Sequence, residues 1–169
     1  MATNLEFINS VSVSGGSSTV NLDNVFSADY DVYKLLITDF RPASSENLFF
    51  RLLDSSGSAL TGSDYDIATL ILRNNASFGE VRVTGAAFWS YGGYVLNSNT
   101  QGFGLEMDIY NPFNSSYTFA NLTSVNGASA DIGNKNIYCY KQTTSTRGLQ
   151  FSAALGNLQN LKASMYGVK

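Results

Sequence analysis

The chain has no histidine, a single cysteine, two prolines and, at 14%, few charged residues. Each shortage excludes something. Histidine is the commonest general base, the usual partner of a serine or cysteine nucleophile and the most frequent zinc ligand. Its absence sets the expectation of a protein that is not an enzyme, with no catalytic residue, no cofactor and no metal. One cysteine, Cys139, forms no internal disulfide, so packing and hydrogen bonds must hold the fold, and the compartment stays open. Ten basic against 13 acidic residues leave a formal charge of -3. With no basic face to neutralise phosphates or anionic lipid, nucleic acid is not an expected partner. No run of 18 apolar residues is present, so no membrane partner is expected from a spanning helix. The opening "MATNLEFINS" carries Glu6 and no cationic segment ahead of an apolar one, which does not read as a cleaved signal peptide.

What is abundant is aromatic: 11 Phe, 10 Tyr and one Trp among 169 residues. That length predicts one domain over residues 1–169, exposing about 8,100 Å² folded against about 26,500 Å² unfolded. Burial on that scale supports an ordinary core without covalent staples.

Period-two alternation recurs along the chain, and no segment of ten or more residues carries a 3.6-residue apolar stripe. Leu5, Phe7, Val11 and Val13 share one parity, interrupted at Asn9, and "SGGSS" predicts a turn over 14–18. The strand in 30–40 has Leu35, Leu36 and Ile37 apolar on both parities, as a central strand would. Its entry is read with Tyr30 and Val32 inward and Tyr33 at the sheet edge with a wet hydroxyl. Residues 41–47 predict a loop, 48–53 a strand, and 54–64 a polar connection. "YDIATLILRNN" fits a strand or a short helix. "EVRVTG" places Val81 and Val83 inward. "GFGLEMDIYNP" is the best strand, with Phe103, Leu105, Met107 and Ile109 on one face and Glu106, Asp108 and Tyr110 on the other. "SYTFANLTSV", "NIYCYKQTT", "GLQFSA" and "LKASMYGVK" complete the set. Short strands separated by Gly, Asn and Ser turns predict an all-β, antiparallel β-sandwich, jelly-roll-like, with about eight to ten strands.

Several side-chain groups are candidates for chemistry, each with a plainer reading. Asp29 and Asp31 flank Tyr30 and share a strand face, but carboxylates at a strand entry stay solvated. Asp54, Asp64 and Asp66 offer oxygens for calcium, yet turn chemistry accounts for them equally. Glu106 and Asp108 have the separation of a glycosidase acid pair and sit opposite an alternating core face, as a solvated outer face would. Cys139 reads as a small core residue, since no histidine is present to activate it. The candidate interaction surface is "FWSYGGY": Phe88, Trp89, Tyr91 and Tyr94 either anchor a sugar or protein partner or fill the gap between two sheets.

The ordered series "LEFINSVSVSG", "FSADYDVYKLLITDF", "NLFFRLLDSSGSAL" with "SDYDIA", "MDIYNPFNSSYT" and "GLQFSAALGNLQNLKASMYGVK" resembles a β-sandwich domain of bacteriophage virion structural proteins, the tail-fibre or head-decoration-like domain of marine and cyanobacterial phages (cyanophages). The resemblance covers nearly the whole chain. It implies a non-enzymatic structural protein located in the virion and made in the host cytoplasm. Its implied partners are other virion proteins, the major capsid protein or tail proteins, and copies of itself in a homo-oligomer, commonly a trimer. With no attachment segment ahead of the first strand, the expectation is a capsid decoration (cement) protein that binds through its own surface. The alternative is a tail-fibre or tail-tip module that recognises a host surface glycan or receptor.

Overall fold

The computed structural model describes residues 4–91, 103–128 and 131–169, and every regular element among them is a strand. In chain order these are β1 (Leu5–Ser17), β2 (Thr19–Leu22), β3 (Val32–Pro42), β4 (Leu48–Leu53), β5 (Tyr65–Arg73) and β6 (Gly79–Ala86). The second half supplies β7 (Trp89–Ser90), β8 (Phe103–Tyr110), β9 (Thr118–Ala128), β10 (Asp131–Tyr140), β11 (Gly148–Ala153) and β12 (Leu158–Val168). All ladders are antiparallel. They form an eight-stranded sheet, β1-β12-β3-β8-β9-β10-β5-β6, and a four-stranded sheet, β2-β11-β4-β7. The fold is thus the expected antiparallel β-sandwich, with twelve strands instead of eight to ten. Part of the excess is β7, two residues long, too short to show a period in sequence; the short strand begun by Val20 and Leu22 is β2.

Between the sheets one cluster holds Leu22, Tyr33, Leu35, Ile37, Phe50, Tyr65, Trp89, Met107, Leu122, Tyr138, Phe151 and Leu161, among others. Alternation explains which residues enter it. In β8, Phe103, Leu105, Met107 and Ile109 are buried and Glu106 is exposed, as the pattern predicts. In β5, Tyr65, Ile67, Thr69 and Ile71 point inward while Ala68 and Leu70 point out, so the helix alternative for this segment is replaced by a strand.

Three inward rows run differently from the expectation. In β1 the ladder slips between Phe7 and Asn9, a bulge at Ile8 that reverses the faces. Phe7 is therefore exposed, while Ile8, Val11 and Val13 pack against the core. In β3 the inward residue is Tyr33, fully buried, and its hydroxyl accepts from Ser27 N and donates to Ser27 O, each at 2.8 Å. Those bonds replace the expected wet hydroxyl at the sheet edge. In β6 both Val81 and Val83 keep solvent contact, because β6 is the last strand of the sheet and the four-stranded partner sheet is half as wide.

Candidate interaction surface

On the outward face of β9, β10, β5 and β6, ladder register sets side chains in rows perpendicular to the strands. One row runs Asn121, Ile137, Ala68, Arg82; the next runs Thr123, Lys135, Leu70, Glu80; on the other side lie Phe119, Cys139 and Asp66. The opposite parity of these strands faces the core: Leu122 and Ser124 from β9, Asn136 and Tyr138 from β10, Ile67 and Thr69 from β5. Because those positions are buried, Ile137 must point to solvent, where it is 61% exposed. Leu70 and Phe119, in the rows on either side of it, are exposed as well. Ala68, next to Ile137 across the ladder, is too small to fill its place in the row. Hollows of about 270 Å³ and 420 Å³ open there. The first is bordered by Asp66, Arg82, Phe119 and Ile137, the second by Ala68, Leu70, Glu80 and Lys135.

Two ion pairs lie at the margins of this face. Lys141 Nζ lies 3.0 Å from Asp66 Oδ1, and Arg82 pairs with Glu80. Hydrogen bonds from the Gly85 amide and from Lys141 hold the Asp66 carboxyl below its ordinary pKa, and the bond to Asp66 raises that of Lys141. Desolvation, followed by the Asp66 charge, pushes the Cys139 thiol up, which favours the inert thiol. Cys139 is half-buried on this outer face, not in the core as the sequence reading had it. Tyr138 and Tyr140 take the inward parity and leave Cys139 the outward one.

The acidic candidates separate. Asp29 and Asp31 are exposed on the loop before β3. Asp54 Oδ1 accepts from the amides of Ser56 at 2.8 Å and Ser58 at 2.9 Å, which closes a turn. Asp64 accepts from Gln142 at 2.7 Å and Asp66 from the Gly85 amide at 3.0 Å. Glu106 and Asp108 lie on the outer face of β8, bridged by Lys34 Nζ at 3.6 Å and 2.8 Å. Desolvation opposes the charge on Lys34, but the Asp108 hydrogen bond and both carboxylates outweigh it, and the Lys34 pKa is raised. The carboxylates of Asp54, Asp64, Asp66, Glu106 and Asp108 are therefore each engaged by donors of the chain itself, whereas Asp29 and Asp31 stay at the solvated strand entry.

The aromatic segment divides as well. Trp89 and Tyr91 have 0% exposure and so belong to the gap between the sheets, not to an interaction surface. Trp89 stacks on Tyr138 at 5.2 Å and meets Tyr65 edge-on at 5.6 Å. Tyr91 is held at both ends: its carbonyl accepts from Asn134 and Asn136, its hydroxyl from Ser124 and Asn126. The physical cause is the short β7, which docks against β10 through side chains instead of a long ladder. Phe88 is half-buried, stacked at 3.9 Å on Phe49 with the Arg51 guanidinium 5.2 Å from its ring centre. Tyr94 lies outside the described residues. The Ile137 ridge was missed in the sequence because "NIYCY" alternates two apolar sets, and periodicity does not say which set faces inward.

No family model matches the chain, and no curated protein matches it. Among solved structures, a fructofuranosidase variant from Schwanniomyces occidentalis complexed with fructosylnystose is similar at a TM-score of 0.23 and 8% identity. The match covers 96% of this chain and 34% of that chain, so this chain spans about a third of its length. A likeness at that level carries no argument about fold or activity.

Proposed function

We propose that the protein is a non-enzymatic structural component of a bacteriophage particle, a capsid decoration protein acting through protein–protein contacts. The observation that carries the assembly part of this reading is the outward face of β9, β10, β5 and β6. An exposed apolar ridge there is flanked by the Glu80–Arg82 and Asp66–Lys141 ion pairs and by Lys135, the apolar-centre and polar-rim arrangement of contact surfaces. Glu106 and Asp108, which have the separation of a glycosidase acid pair, are bridged by Lys34, which supports a reading without chemistry on a substrate. The phage setting rests on the ordered sequence resemblance. The test is quantitative mass spectrometry of purified virions, with copies counted against the major capsid protein. Hundreds per particle are expected. A few to a few tens place the protein on the tail and favour a receptor- or glycan-binding module, and none overturns the virion reading.

A further inference from the structure

Ile137 and Ala68 form a projection and a recess on neighbouring strands of one row. A twofold axis lying in the plane of the face, parallel to the strands and midway between β10 and β5, brings β10 of one copy over β5 of another and β9 over β6. Each Ile137 then enters the recess above the other copy's Ala68, and the relation is reciprocal, as a twofold contact requires. The same operation sets Asn121 opposite Arg82 and Thr123 opposite Glu80, two pairs of complementary hydrogen-bonding character. Lys135 lies over Leu70 with Glu80 one strand beyond, about 4.8 Å away, so unlike charges approach across the contact.

Both edges of the eight-stranded sheet are blunted against lateral pairing. β1 is bulged after Phe7 and again between Ser14 and Ser17, and β6 slips between the partners of Tyr65 and Ile67, with Gly85 at φ 67°. Bulged edges discourage strand addition, whereas the face has no such guard. Four strands at about 4.8 Å spacing and about 30 Å of strand give a footprint of roughly 600 Å² per copy, at the small end of specific contacts. The expected association is weak, of micromolar order.

We infer that the outward face of β9, β10, β5 and β6 is a twofold interface with a second copy of this chain, keyed by Ile137 entering the recess at Ala68. This deepens the assembly reading by naming the partner of that face, and its symmetry is twofold where the resemblance implies a trimer.

The test is sedimentation of the full chain from about 5 to about 500 µM, a range set around a micromolar contact. Wild-type protein is expected to pass from monomer to dimer. Ile137→Glu and Ala68→Lys change exposed side chains, and circular dichroism checks that each remains folded. Each variant alone is expected to associate at least tenfold more weakly. Their equimolar mixture should recover the dimer, because one contact becomes Glu against Lys and the other remains Ile against Ala. Wild-type protein that stays monomeric throughout, dimers unaffected in both variants, or a mixture that fails to recover would each overturn the proposal. Monomeric protein that still decorates particles would overturn this pairing alone, while absence from particles overturns the virion reading instead.

Discussion

Tyr33 shows how a single polar atom decides a position. Its ring is fully buried against Phe26 at 4.8 Å, and its hydroxyl serves both the amide and the carbonyl of Ser27. Tyr33→Phe keeps the ring and removes both bonds, so urea denaturation should read a loss of about 1–2 kcal/mol. Gly167 decides another. A Cβ there would lie 2.4 Å from the Tyr30 ring, and Tyr30 hydrogen-bonds Glu6 while Lys169 Nζ sits 5.5 Å from its ring centre. Gly167→Ala must push that ring away, at an expected cost of about 1–3 kcal/mol by the same measurement. If Tm and urea midpoint are unchanged, the ring does not rest on Gly167 in solution. At Gly148 the obstacle is backbone: Leu22 O lies 2.4 Å from an added Cβ. There β11 and β2 must separate, so Gly148→Ala is expected to lose at least as much as Gly167→Ala.

At the scale of elements, the corner where β1, β12 and the loop before β3 meet is held by Glu6. It accepts from Tyr30 and lies 2.9 Å from Lys169 Nζ. Those two partners, Tyr30 first, hold the Glu6 carboxyl below its ordinary value of 4.5. A carboxyl whose folded pKa is depressed contributes stability that is present above its unfolded pKa and is lost as pH falls through its folded one. The hydrogen bond from Tyr30 also raises the Tyr30 pKa, and Lys169 is raised by Glu6. For Tyr30, whose neutral form is the one favoured, and for Lys169, whose charged form is favoured, the contribution is complete below the unfolded values and fades above about 10. Melting temperature from pH 6 to 2 should therefore fall more steeply for the wild type than for Glu6→Gln. Parallel curves would mean that the corner is not coupled to unfolding. The bulge at Ile8 belongs to this scale too, because it lets β1 present Phe7 outward, edge-on to Tyr166 at 5.7 Å, while Ile8, Val11 and Val13 reach the core.

Across the whole molecule, eight strands against four leave the inner face of the larger sheet unevenly covered, and among the described residues β6 keeps solvent contact even at Val81 and Val83 on its inward parity. What closes the core near β5 and β10 is Trp89, packed on Tyr138 and Tyr65 with its indole N–H donating to Cys139 O at 3.3 Å. Trp89→Ala is expected to cost about 3–5 kcal/mol and to lower Tm correspondingly, whatever its effect on any partner. If Trp89 served an interface, the same change would spare stability and weaken binding, so calorimetry and particle association together separate the two roles.

Alternation in "GFGLEMDIYNP" and "GLQFSA", the turn residues between segments and the lack of any helical stripe were sufficient to read an antiparallel all-β sandwich and the limits of β4 and β11. Those signals are local: a period of two and a Gly or Asn at a bend survive without knowledge of neighbours. Which parity faces inward was not local. It depended on a bulge at Ile8, on Ser27 offering hydrogen bonds to Tyr33, and on Tyr138 having Trp89 to stack against. The tertiary structure alone therefore decided that Trp89 and Tyr91 are core and that Ile137 stands in solvent beside Ala68. The reason is that burial of one face of a strand is fixed by what the opposite sheet and the adjacent strands supply, and those partners lie far away in sequence: Ile137 and Ala68 are 69 residues apart (137 − 68), Leu5 and Val168 are 163 apart (168 − 5).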